Sequence, residues 1–160
     1  MIVKAVPDTR AQVSVTPADM AKGHTIKPTQ ASKEGRGFTS ASRTKIENLG
    51  ELDVPMMSRE GLWTRQKWQV APEGKLARPL LSIGEECDKG AYVVFGRQGG
   101  AIIAEDGQAI RKFPRLDSGV YEIEMWLPSA ESLNKKFVFP GRADATLKSE
   151  MSWIRKTPTF

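Results

Sequence analysis

Residues 78–96 read RPLLSIGEECDKGAYVVFG, and this stretch carries the strongest structural signals in the chain. The apolar run at 79–83 predicts a buried strand that opens into a short helix over 84–89. Gly90 ends that helix, and residues 91–95 resume an extended pattern. The stretch therefore predicts a strand, a short helix and a second strand in immediate succession.

The segments on either side mostly alternate with period two and are separated by glycine, proline or Asp-Gly turns. The predicted strands are 11–15, 38–39 with 45–49 around the tip SASR, 51–54, 64–70, 79–83, 91–95 with 101–104, and 120–126. A helical turn is expected at 17–22 and a loop at 24–37. About nine short strands with one or two short helices predict a mainly β barrel or sandwich and argue against a βαβ fold.

The pattern weakens beyond Pro128, so we expect one β-barrel domain over 1–128. Residues 129–160 are expected to be a linker or poorly ordered tail, with a short helix near 151–154. A chain of 160 residues, 39% of them hydrophobic, is long enough for one such core. No apolar run is long enough to span a membrane, and the start lacks a signal peptide's apolar centre, so a cytoplasmic protein is expected.

The composition also limits the kinds of catalytic and metal-binding site that the chain can form. The chain has one cysteine, Cys87, and one histidine, His24, which excludes an internal disulfide and a Cys/His zinc site. Acidic neighbours disfavour a reactive thiolate at Cys87. We expect no metal and no cofactor, which leaves carboxylates as the serious catalytic candidates. The net charge of +5 permits nucleic-acid contact without favouring it.

The candidate carboxylate lies in VPDTRAQVSVTP, residues 6–17. Taken alone, Asp8-Thr9 after a proline is ordinary turn chemistry at the start of a strand. It also has the form in which an aspartic protease presents its aspartate, two of which share one proton and activate a water. A chain of this length offers one such loop, so a second aspartate would have to come from another copy.

Taken together, residues 8–128 resemble the retropepsin-like aspartic protease domain of retroelement polyproteins, especially those of Copia-type elements. The motifs that carry this resemblance, in chain order, are DTRA (8–11), VSVTPADM (13–20), GFTSASRTKIENLGE (37–51), WQVAP (68–72), RPLLSIGEECDKGAYVVFG (78–96) and GVYEIEMWLP (119–128).

The resemblance implies a small closed barrel of the retropepsin type and a homodimeric endopeptidase. Its substrate would be a polypeptide, such as its own polyprotein. Asp8 would be the catalytic aspartate, Thr9 its brace and Ala11 the small residue that completes the active-site loop. The flap over the substrate would have its tip at Ser40, Ala41, Ser42 and Arg43. Leu80, Leu81 and Ser82 would form the apolar strand behind the aspartate loop.

Three features depart from that pattern. Arg10 stands where the catalytic triplet has glycine, which places a cation beside carboxylates that need to share a proton. A left-handed backbone at this position would add strain. Arg43 stands where the flap turn usually has glycine. Only seven residues precede Asp8, so the first strand is expected to be short or missing.

Two further hypotheses remain open from the sequence. A non-catalytic barrel could keep the fold as a dimerisation or interaction module. A basic barrel could bind nucleic acid by stacking bases on Trp63, Trp68 and Trp126. The intact triplet Asp117-Ser118-Gly119 is interpreted as a turn, because too few residues follow it to build a protease fold.

Overall fold

The computed structural model describes residues 1–135, in which short strands dominate. The strands are β1 Ile2–Asp8, β2 Val15–Pro17, β3 Phe38–Thr39, β4 Lys45–Ile46, β5 Glu51–Ser58, β6 Trp63–Ala71, β7 Leu80–Ser82, β8 Tyr92–Phe95, β9 Gly99–Ile103, β10 Ile110–Pro114 and β11 Ile123–Trp126. The α-helices are α1 Gln30–Lys33, α2 Ile83–Asp88 and α3 Ala130–Asn134, and a 3-10 turn covers Ala18–Ala21.

Six of the strands close into a barrel in the order β1-β11-β5-β6-β2-β7. The barrel closes because β1 has two partners along its length. Its first half pairs antiparallel with β11, from Ile2 opposite Trp126 to Ala5 opposite Ile123. Its second half pairs parallel with β7, with Asp8 opposite Ser82. The mainly β barrel with short helices that the sequence predicts is therefore confirmed.

Alternation along the barrel strands fills the interior. In β6 the side chains of Gln66, Trp68 and Val70 are buried while Arg65 and Lys67 are exposed, as expected for a strand with one face on a core. Trp68 is completely buried and is the largest side chain at the centre. Its neighbours in the core are Val3, Ala5, Leu52, Val54, Met56, Val70, Leu81, Ile102, Phe113, Ile123, Met125 and Leu127.

A second sheet, in the order β10-β9-β8, packs beside the barrel. Phe113 of β10 is completely buried and joins the barrel core. Gly100 of β9 permits this packing, because a Cβ there would lie 2.4 Å from both Phe113 Cε2 and the Val94 carbonyl oxygen. The third sheet is the small hairpin formed by β3 and β4.

The local predictions for 78–96 are confirmed in order. β7 runs directly into α2, and the backbone reverses at Gly90, whose φ of 91° suits glycine. The hairpin of β8 and β9 follows. Asp117-Ser118-Gly119 is a turn as predicted, since the Gly119 N–H donates to the Leu116 carbonyl and Gly119 has φ 88°.

The predictions for the N-terminal segment were wrong in two respects. The first strand is neither short nor missing, because β1 spans seven residues, Ile2–Asp8. The strand predicted at 11–15 is instead a loop over 9–14 that enters β2 at Val15. Side-chain hydrogen bonds to the backbone hold this loop, and they compete with strand pairing.

Other elements were missed or shortened. The loop predicted at 24–37 contains α1, capped by Thr29 and Ser32, which bond reciprocally to each other's backbone N–H groups. Strand β5 continues past Val54 to Ser58, and β10 was not predicted. The buried face of β10 carries Arg111 beside Phe113, so its pattern does not look like that of a half-apolar strand.

Past the barrel, α3 begins where the sequence predicts the linker or tail, and its Leu133 packs against the core. The helix expected near 151–154 lies outside the described residues. Among residues 1–135, no helix has the length and apolarity needed to cross a bilayer.

Candidate functional site

Asp8 is the last residue of β1, at the point where the strand lies beside β7. Its side chain is half-buried, whereas Thr9 and Arg10 in the following loop are exposed. Leu81 of β7 is fully buried directly behind this strand end, opposite Pro7. The structure thus brings Asp8 and the segment Leu80–Ser82 together, as the sequence motifs imply.

The Asp8 carboxylate is oriented by its own loop. Its Oδ1 accepts a hydrogen bond from the Arg10 backbone N–H at 2.7 Å and a longer one from the Ala11 N–H at 3.2 Å. Both donors are main-chain groups, so the geometry does not depend on which side chain stands at position 10.

The backbone at Arg10 is not left-handed. Among residues 1–135, Arg43 is the one non-glycine residue with a positive φ, at 62°. The steric objection to Arg10, which applied if this position needed a positive φ, therefore does not hold for this loop. Only the backbone of Arg10 contacts Asp8: the Arg10 guanidinium is exposed and forms no ion pair with the carboxylate in a single chain.

Ser82 fastens the loop to the barrel. Its hydroxyl donates to the Ala11 carbonyl oxygen at 2.7 Å, and its backbone N–H donates to the Ser14 hydroxyl at 2.9 Å. Ser82 is fully buried and Ser14 is 1% exposed, so water does not compete with these bonds. Both ends of the stretch Ala11–Ser14 are therefore held by one residue of β7.

Ser14 and Glu85 complete this network, and sequence analysis missed both. The Ser82 hydroxyl caps α2 by accepting a hydrogen bond from the Glu85 N–H at 3.2 Å. Ser14 donates two hydrogen bonds to Glu85 Oε2, one from its hydroxyl at 3.0 Å and one from its backbone N–H at 3.2 Å. In an ordinary capping box the third helical residue binds the cap's own N–H. Here the Ser14 hydroxyl lies between the Ser82 N–H and the Glu85 carboxylate: it accepts from the first and donates to the second. The cap of α2 therefore also holds the Asp8 loop. The Ser-x-x-Glu spacing at 82–85 signals the cap but not its third member.

The predicted flap tip forms a tight turn between β3 and β4. The Ser40 N–H donates to the Thr44 carbonyl and the Arg43 N–H to the Ser40 carbonyl, both at 2.9 Å. Arg43 has a left-handed backbone, with φ 62°, a conformation that glycine adopts without steric cost. Ala41 and Ser42 are exposed, and within residues 1–135 no hydrogen bond or ion pair joins the tip to the Asp8 loop. A single chain therefore does not assemble the two halves of the predicted site through polar contacts.

The other candidate reactive residues stay apart from this loop. Cys87 is an exposed thiol in α2. His24 is half-buried, and burial, followed by repulsion from the N-terminal ammonium, lowers the pKa of its imidazole. In the part of the chain that the structure describes, no three His, Cys, Asp or Glu side chains gather as metal ligands would.

Replacing Ser82 by alanine should loosen the Asp8 loop. The change removes the bond to Ala11 and the cap of α2, so we expect a loss of about 1–3 kcal/mol in the free energy of unfolding. Amide hydrogen exchange across residues 9–14 should accelerate at the same time. Urea denaturation and exchange mass spectrometry measure the two effects.

Ser129→Ala is the matched control, because Ser129 caps α3 in the same way but its side chain is hydrogen-bonded to Ser132 and not to the Asp8 loop. It should leave exchange at residues 9–14 unchanged. Equal loop protection in the two variants would show that Ser82 does not hold the loop.

Comparison with known proteins adds no relative to this geometry. The chain matches no protein-family model, no curated protein and no solved structure at a significant level. The likeness of its motifs to retropepsin-like domains therefore stays a prediction.

Proposed function

We propose that this chain is a retropepsin-like aspartic endopeptidase domain of a retroelement-type polyprotein that acts as a homodimer. The observation that carries the proposal is the presentation of Asp8. An aspartate ends a central barrel strand, a parallel apolar strand lies beside it, and two N–H groups orient its carboxylate next to the exposed Thr9 and Arg10.

The chemistry requires a second chain. Peptide hydrolysis by aspartates needs two carboxylates that share one proton, one to activate water and the other to protonate the scissile carbonyl. Each protomer would supply one Asp8, and the exposed Thr9 would brace the paired loops. The hairpin of β3 and β4, with its tip at Ser40–Arg43, would close over the polypeptide.

Arg10 sets the expected level of activity. In a dimer, two guanidinium groups would lie close to the two aspartates and favour the state in which both are ionised. A pair of aspartates that has lost its shared proton has no acid to protonate the scissile carbonyl. We therefore expect cleavage by the natural sequence to be slow and confined to acidic pH.

The test is cleavage of an unfolded protein substrate by the full chain across acidic to neutral pH, with products mapped by mass spectrometry. Asp8→Asn should remove whatever cleavage the chain shows, and the dimer should be visible by analytical ultracentrifugation. Asp117→Asn is the matched control, because Asp117 lies in a surface turn, and it should cleave normally. Cleavage that survives Asp8→Asn would exclude Asp8 as the catalytic group.

A second candidate is a non-catalytic dimerisation module, and Arg10 favours it. If the loops of two chains meet, Arg10 of one can form an ion pair with Asp8 of the other, which would turn a catalytic dyad into an adhesive contact. This function predicts a dimer without cleavage that weakens when either residue is changed. The nucleic-acid alternative gains no comparable support, because Trp68 and Trp126 are buried and cannot stack on bases.

A further inference from the structure

A second concave site lies where α2 faces the start of β6 and the sheet of β8, β9 and β10. It is a cavity of about 220 Å³, and the residues of its lining that matter here are Trp63, Glu86, Lys89, Ile102, Glu105 and Arg111. None of its lining residues belongs to the Asp8 loop or the flap tip, so the cavity does not depend on the proposed protease function.

The polar side of the cavity is built around a buried carboxylate. Glu86 is 2% exposed, and its two oxygens are divided between two cations: Arg111 Nη2 at 2.5 Å and Lys89 Nζ at 3.4 Å. One negative charge thus faces two positive charges. Glu105 also lines the cavity, but its exposed carboxylate lies against Gly90. The buried pair of Glu86 and Arg111 is therefore neutral, and the exposed Lys89 and Glu105 add one charge of each sign at the open side.

Arg111 has an unused donor. The residue is 8% exposed, and its Nη1 is buried without a hydrogen-bond partner among the described residues. Buried guanidinium N–H groups are almost always satisfied, because leaving one unpaired forfeits its hydration. An unpaired Nη1 in a residue that lines a cavity therefore points to an oxygen acceptor from outside residues 1–135.

The rest of the lining is apolar. Leu62, Ala91, Ile102, Ala104 and Ala109 supply most of the remaining wall. A water at Nη1 would cover only a small part of this wall, and further waters would lack the polar partners that ordered water needs. The occupant therefore needs an oxygen acceptor at one end and a small apolar body at the other, and a guanidinium donor binds a carboxylate oxygen more strongly than a neutral one.

We infer that this cavity binds a small aliphatic carboxylate, with its carboxylate on Arg111 Nη1 and its hydrocarbon part against Ile102 and the alanines. The exposed ammonium of Lys89 adds attraction at the open side. A neutral amide of the same shape would gain the hydrogen bond without the charge, and an amine would be repelled.

The experiment titrates the full chain at neutral pH and constant ionic strength with isovalerate, isovaleramide and isopentylamine. Tryptophan fluorescence reports through Trp63, and NMR amide shifts locate the site. Isovalerate should bind in the millimolar range and about tenfold more tightly than the amide, with shifts concentrated at Ile102 and Arg111. The amine should not bind.

Variants separate this site from non-specific anion binding. Arg111→Met alone leaves Glu86 buried beside fewer cations, so the double variant Glu86→Leu with Arg111→Met is used to keep the core neutral. It should lose the preference for isovalerate over the amide. Lys112→Met removes an exposed charge on the same strand and should bind isovalerate as the natural chain does. Equal binding of acid and amide, absence of saturable binding, or a preference that survives the double variant would each overturn the assignment.

Discussion

Replacing Arg10 by glycine should raise acid-dependent peptide cleavage about 100-fold, which corresponds to about 2.7 kcal/mol of transition-state stabilisation. The gain comes from removing two cations, one per protomer, that favour the doubly ionised dyad. The loop itself should not change, since the Asp8 carboxylate is held by the main-chain N–H of residue 10, which glycine retains. The measurement is kcat/KM on a mapped peptide substrate across pH 3–8.

Two companion variants assign the cause. Arg10→Ala should gain nearly as much as glycine, because the backbone at position 10 is not left-handed and tolerates a Cβ. Arg10→Lys keeps a cation and should gain little. The Arg10→Gly chain with Asp8→Asn should be inactive. A soluble, dimeric Arg10→Gly chain without cleavage at any pH would refute the endopeptidase, and loss of the dimer in this variant would favour the adhesive module instead.

The parts of the fold that the sequence predicted are those with local causes. Residues 78–96 combine an apolar run, the helix-capping Ser82 and the left-handed Gly90, and each acts over a few residues. The segment at 9–14 failed because its apolar alternation competes with side-chain contacts that no local pattern shows. Ser14 is 71 residues from Glu85 and 68 from Ser82, yet these bonds decide that the segment is a loop.

The residues of the candidate site also fall into two groups, those that local motifs predict and those that they do not. Asp8, Thr9 and the strand Leu80–Ser82 could be named from motifs, and the structure places Asp8 opposite Ser82. Glu85 and Ser14 could not be named, because their role exists only once β1 and β7 are paired. Arg111 was hidden for a different reason: a charged residue in an alternating segment indicates a solvent face, whereas here it lies on the buried face with Glu86 as its partner.

Arg111→Met should be among the most destabilising substitutions in the described part of the chain, with a loss of about 3–5 kcal/mol in the free energy of unfolding. The cause is the carboxylate left behind. Glu86 would remain buried with only Lys89, at 3.4 Å, as a charged partner. Because the Lys89 side chain is 52% exposed, it screens Glu86 incompletely, and urea denaturation should show an early midpoint.

The double variant Glu86→Leu with Arg111→Met shows whether the ion pair stabilises the fold or only offsets the free-energy cost of burying its two charges. Removing both charges leaves an apolar contact between α2 and β10, and buried ion pairs replaced in this way often lose no stability. We therefore expect the double variant to recover most of the free energy of unfolding that Arg111→Met loses. The control Lys112→Met, on the exposed face of the same strand, should change the free energy of unfolding by less than about 0.5 kcal/mol. A double variant as unstable as Arg111→Met would mean that the pair itself holds α2 against the sheet. Recovery would instead show that the pair adds no net stability to the contact between α2 and β10.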